Sequence, residues 1–189
     1  MNILVSLAGG SDASRFQYCF RPDTTIEKED FNYYIPDGIT KMSYSPVFFV
    51  RISRAGKAIG SRFADRYYDA GGYGALLYGE DLISEGSEAG FAMASSLDRT
   101  SILPFPLYGK NVLDNKDNLF ALMVNGEEGF RWMSGTEAVP ETLHRISTCT
   151  SLRTGDIVAI ELAARKPLNR GDRLEGFLNG RNIFTVPVL

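Results

Sequence analysis

Apolar positions in this chain fall into short runs more often than into long helical stripes. Residues 47–50, Val-Phe-Phe-Val, are unbroken apolar. A short run rich in β-branched and aromatic residues reads as a strand buried on both faces. Pro46 fits at the start of such a strand, where its missing N–H costs no ladder bond. Residues 44–52 are therefore expected as a central strand, with Ser45, Val47 and Phe49 on one face.

The same reading gives strands at 1–7, at 31–35 before a Pro36-Asp37-Gly38 turn, and at 157–162 after a Thr154-Gly155-Asp156 turn. It gives two hairpins, one turning at Asn125-Gly126 and one at Asn179-Gly180. Gly71, Gly72 and Gly74 suggest a loop leading into residues 75–83. Two helices are predicted. One covers 61–69, with Ser61 as cap and Phe63 and Tyr67 on one face. The other covers 136–147, with Thr136 as cap, Pro140 in the first turn, and Val139, Leu143 and Ile146 forming a stripe.

Composition adds bounds. A length of 189 residues suits one domain with one core, and 44% hydrophobic with 23% charged residues is ordinary for a globular protein. The net charge of −3, with no run rich in Lys or Arg, argues against nucleic acid or an anionic membrane as partner. Cys19 and Cys149 make no disulfide framework and fit a reducing compartment, so a cytoplasmic location is expected. Residues 1–7 lack a basic flank and are too short for a signal segment.

Candidate chemistry is sparse. His144 is the single histidine, so no Ser/His/Asp or Cys/His arrangement can be built on it. Asp65 and Asp69, four apart, read as a solvated helix face rather than a metal pair. Ser11, Asp12 and Ser14 are turn and cap formers.

Several blocks in order carry a resemblance: PDTTI at 22–26, YYIPD at 33–37, RISRAGKAI at 51–59, RFADRYYDAGGYG at 62–74, SLRTGDIV at 151–158 and GDRLEGFLNG at 171–180. Together they resemble the fumarylacetoacetate hydrolase family, most closely its small bacterial members. The resemblance implies an α+β fold, a mixed β-sandwich roll with few short helices, over a single domain at 1–189. By the same resemblance, residues 1–20 are expected to be a divergent N-terminal strand and lid loop. It implies a homodimer, and Mg or Mn held by a Glu-x-Glu pair and an Asp, acting on an acylpyruvate, fumarylacetoacetate or oxaloacetate type of acid.

At the positions that the resemblance assigns to this chemistry, the chain departs from it. Ser45 and Val47 stand where the Glu-x-Glu pair is expected, Leu76 where the Asp is expected, and Ser95 where a catalytic lysine is expected. The lid loop has no histidine, and ELAARKP replaces a Gly-Thr-Pro turn. The expectation is a protein without a metal cofactor, a pseudoenzyme kept for binding or assembly, with an active paralogue or a small molecule as partner. Asp81 and Asp98 are the remaining ligand-binding candidates. The alternative is an active hydrolase or decarboxylase with relocated ligands drawn from Glu80, Asp81, Glu85 and Asp98. The first reading requires that the space over Ser45, Val47 and Leu76 be filled by side chains.

Overall fold

A computed structural model describes residues 1–8, 16–84, 87–133 and 136–189. Its strands, in chain order, are β1 (Ile3–Ser6), β2 (Tyr18–Arg21), β3 (Ile26–Glu27), β4 (Met42–Ile52), β5 (Tyr68–Gly79), β6 (Ser101–Ile102), β7 (Tyr108–Gly109), β8 (Leu119–Val124), β9 (Glu127–Met133), β10 (Ile157–Glu161), β11 (Lys166–Leu168), β12 (Arg173–Leu178) and β13 (Arg181–Pro187). The helices are short: α1 (Glu80–Ser84), α2 (Glu88–Ala94), α3 (Lys110–Leu113) and α4 (Val139–Cys149).

Among the described residues the strands form two sheets. The larger runs β2-β1-β10-β4-β5-β6-β3, with β11 added to β4 and β7 to β5; the smaller runs β13-β12-β8-β9. β1 and β10 are parallel, as are β3 and β6, in an otherwise antiparallel large sheet. This is the mixed, strand-dominated α+β architecture expected. β4 is central, paired with β10, β5 and β11.

The large sheet must curl. Seven strands about 4.8 Å apart would span ~29 Å if flat. Yet β2 and β3, at opposite ends of that path, are joined by residues 22–25 alone, a link reaching at most ~17 Å. Arg21 at the end of β2 reaches across the interior to the other side. Its Nη2 donates to Leu77 O of β5 at 2.6 Å, and its Nη1 donates to Thr100 O beside β6 at 2.9 Å.

Two apolar clusters result. Tyr44, Phe48, Tyr73, Phe120, Leu122 and Phe184 belong to the main core, where Tyr73 stacks on Phe120 at 4.9 Å. Val47, Phe49, Leu76 and Leu103 belong to the second, with Phe91 of α2 packed against it. β4 is thus buried on both faces, as its unbroken apolar run requires.

Five local expectations need correction. Pro46 does not start its strand: β4 begins at Met42, and Pro46 lies within it opposite Ala75. Residues 61–69 are not one helix: Ser61–Arg66 is a 3-10 helix capped by Gly60 without a side-chain bond, and Asp69 already lies in β5. Gly71, Gly72 and Gly74 are strand, not loop. A Cβ on Gly71 would sit 2.2 Å from Phe49 O, so the glycine admits the close approach of β4. Residues 31–35 form no strand of their own; only Tyr33 bridges, to Val188. Finally, Thr136 does not cap α4. The helix starts at Val139 with Ala138 before it, while the Thr136 hydroxyl donates to Asp114. Both Asn-Gly hairpins form, with φ of 55° and 81° at Asn125-Gly126 and 52° and 78° at Asn179-Gly180.

Candidate functional site

Register decides which side chains meet on the second face of the large sheet. Ser45 pairs with Leu76, Ser43 with Tyr78, and Val47 with Glu161 of β10. Cross-strand partners and residues two apart share a face, so all six point the same way. On this face an apolar patch and a polar group lie side by side.

Ser45, Val47 and Leu76 do come together, but inside the sheet's packed interior. All three are 0% exposed, and Val47 and Leu76 lie in the cluster with Phe49. The Ser45 hydroxyl donates to Ala163 O at 2.9 Å. These residues do not fit a divalent cation, which takes six or more oxygens with carboxylates among them. Ser95 is buried at the end of α2, and its hydroxyl donates to Phe91 O at 2.8 Å.

Of the polar group, the sequence singles out only Glu80. The Glu161 carboxylate accepts from Tyr78 Oη at 2.8 Å and from the Ala8 N–H at 2.9 Å. The Tyr78 ring lies 4.4 Å from the Arg21 guanidinium and 5.2 Å from that of Arg165. Burial pushes the Tyr78 phenol well above its ordinary pKa. Cys19 beside it is pushed up to about 11, chiefly by burial. Neither is poised to ionise near neutral pH. Arg165 Nε donates to Glu80 Oε1 at 2.7 Å, and the Ser43 hydroxyl donates to that same oxygen.

Arg165 lines two cavities. One, of about 470 Å³, is lined by Lys41, Ser43, Glu80, Arg165 and Asn169. The other, of about 350 Å³, is lined by Phe91, Glu161 and Arg165. Lys166 borders the first but donates its Nζ to Gly129 O.

The remaining carboxylates are dispersed or committed. Asp81 Oδ2 accepts from the Thr40 N–H at 2.6 Å and the Lys41 N–H at 2.8 Å, and those backbone bonds hold its pKa below the usual carboxylate value. Asp98 is exposed on the wall of a separate cavity with Tyr33 and Leu97. Asp65 pairs with Lys110, and Asp69 with Arg51. Glu85, Ser11, Asp12 and Ser14 lie outside the described residues. His144 is exposed, with Nδ1 2.9 Å from Ile59 O.

Glu161 and Tyr78 could have drawn notice in the sequence. Glu161 is a lone charge following Ile-Val-Ala-Ile, a poor match to a strand buried on both faces.

No family model and no curated protein matches this chain. Solved structures do. A fumarylpyruvate hydrolase from Pseudomonas aeruginosa, in complex with Mn2+ and pyruvate, superposes with a TM-score of 0.82 at 20% identity, over 100% of this chain and 88% of its own. A 2-hydroxyhepta-2,4-diene-1,7-dioate isomerase from Mycobacterium marinum gives 0.82 at 18%, over 100% and 74%. A 5-carboxymethyl-2-hydroxymuconate delta-isomerase from Mycobacterium smegmatis gives 0.79 at 16%, over 100% and 78%. At these identities the likeness is one of fold.

Proposed function

We propose that this chain, which has the fold of the fumarylacetoacetate and fumarylpyruvate hydrolases, binds a small organic acid in the cleft at Arg165 without metal-dependent C–C cleavage. One observation carries the reading. The carboxylate facing the larger cavity, Glu80, is engaged by Arg165 and Ser43. A carboxylate so neutralised is a poor ligand for a hard cation, which must compete with the guanidinium for it. With Arg165 and Glu80 balancing each other, Lys41 leaves the cavity wall net positive. The Pseudomonas neighbour holds pyruvate together with Mn2+. Here Lys41 would attract such a carboxylate directly, and the N–H groups of Arg165 that Glu80 does not occupy would orient it. The reading includes the homodimer implied by the resemblance, which light scattering at micromolar concentration reads.

The test combines calorimetry and turnover. Pyruvate or oxaloacetate should bind equally well in EDTA and in ~millimolar Mn2+, and the melt should not respond to metal alone, since only a ligand that binds the folded state raises it. Oxaloacetate and acylpyruvate turnover should match a buffer blank. Metal-dependent turnover would overturn the reading in favour of an active enzyme with relocated ligands.

A further inference from the structure

Ala8 and Arg165 border both cavities of the cleft, so the two adjoin at those residues. Their walls differ in the sign of their charge. The larger lobe carries Lys41, Arg165 and Lys166 against one carboxylate, Glu80. The smaller lobe carries Glu88 and Glu161. Its one cation among the described residues is Arg165, which Glu80 already engages.

Glu161 is the buried member of that acidic pair, 7% exposed. Its hydrogen-bond partners are both neutral, the Tyr78 hydroxyl and the Ala8 N–H. The two guanidiniums against the Tyr78 ring are committed elsewhere: Arg21 to Leu77 O, Thr100 O and Ser101 Oγ, Arg165 to Glu80. A carboxylate this deep retains much of its desolvation cost unless an opposite charge reaches it. Its two oxygens can accept about four hydrogen bonds between them, and the cavity that Glu161 lines is the side from which a further donor can come.

The other walls define the kind of cation. Leu7 and Phe91 are apolar, Gln17 offers an amide oxygen, and Glu88 offers a second carboxylate. A hard metal ion, which needs six or more oxygens, finds too few here. An ammonium on a carbon chain fits better. Its three N–H donors suit the carboxylate and amide oxygens, an aromatic ring attracts positive charge, and its methylenes cover the apolar wall.

We propose that the smaller lobe takes an ammonium group, so that the acid bound at Arg165 is an amino acid. Its carboxylate lies towards Lys41 and its amine towards Glu161 and Glu88. The inference rests on the carboxylate reading above and names the class of acid within it. The Arg165–Glu80 pair lies between the two ends and adds no net charge of its own.

The experiment titrates the whole chain at neutral pH, by calorimetry, with pyruvate and with matched pairs: propionate and β-alanine, butyrate and γ-aminobutyrate, caproate and ε-aminocaproate. At least one amino acid should bind roughly tenfold or more tightly than its parent acid. Butylammonium alone should raise the melt. In Glu161→Gln the preference for the amine should vanish. Glu88→Gln, at an exposed position, should reduce it severalfold and serves where the buried variant does not fold. Equal affinity within every pair, with pyruvate bound, would overturn this inference and leave the carboxylate reading standing. A melt raised by butylammonium with no pyruvate bound would sustain the ammonium lobe and remove the carboxylate reading. An amine preference undiminished in both variants would overturn the inference. So would a rise in the melt with Mn2+ alone that Glu161→Gln abolishes, since the two carboxylates would then hold an inorganic cation.

Discussion

Arg165 and Glu80 stand 85 positions apart in the chain yet meet at 2.7 Å, Nε to Oε1, at the mouth of the larger cavity. The contact joins the residue just before β11 to the first residue of α1. It sets the charge balance of the cleft, because it leaves Glu80 neutralised and holds a cation at the opening.

Replacing Arg165 with Met separates two roles. Both side chains of the pair are 31% exposed, so solvent screens the interaction and its loss should cost only about 1 kcal/mol. Carboxylate binding should weaken by roughly tenfold or more. Calorimetry with pyruvate beside a urea titration reads both; unchanged binding would remove Arg165 from the site.

Val47→Glu tests whether the apolar patch of the face is core. Val47 is fully buried, and an unpaired carboxylate there has no partner to offset its desolvation. A loss of about 3 kcal/mol or more, or insolubility, is expected in denaturant unfolding. A soluble variant that gains Mn2+ affinity would show a latent metal cleft instead.

Gly71→Ala should destabilise far more than its single methyl suggests. The added carbon would lie 2.2 Å from Phe49 O, a backbone atom that cannot swing away. Separation of β4 from β5 should cost about 2 kcal/mol or more. Gly155→Ala has nothing within 4 Å of its Cβ but a φ of 91°, so it should cost only about 1 kcal/mol.

Alkaline pH should unfold the protein in a particular window. The folded pKa is raised to about 11 for Cys19 and to about 12 for Tyr33 and Tyr73, in each case chiefly by burial. A raised folded pKa means that the contribution is intact below the unfolded value and is lost as pH climbs through the folded one. Stability should therefore hold steady from pH 7 to about 9 and fall between about 9 and 12. Cys19→Ala should flatten the early part of that decline in urea titrations at stepped pH.

What the sequence made legible follows physical range. The Asn-Gly turns and the α4 stripe of Val139, Leu143 and Ile146 depend on neighbours a few residues away. The misread segments do not. Gly71 and Gly74 look like loop residues until β4 and β6 are placed against them. Asp69 looks helical until Arg51 of β4 takes it as a partner. At the candidate site, the meeting of Ser45, Val47 and Leu76 required the β4–β5 register, and that of Tyr78 and Glu161 spans 83 positions. A lone charge in an apolar strand is the one local hint that such a partner exists.

The closure of the rolled sheet also sets an order in time. Ile3 of β1 pairs with Ile157 of β10, across 154 positions. At about 5–20 residues per second, the ribosome needs on the order of 10 s or more to deliver that partner. β1 and β2 can pair with each other, but they must wait for β10 through the synthesis of most of the chain. Conversely, a chain beginning after Arg21 would leave the apolar β10 as a bare edge, a template for pairing with other copies. The first strands to emerge thus dock only when one of the last has been made, and in their absence the remainder is prone to aggregate.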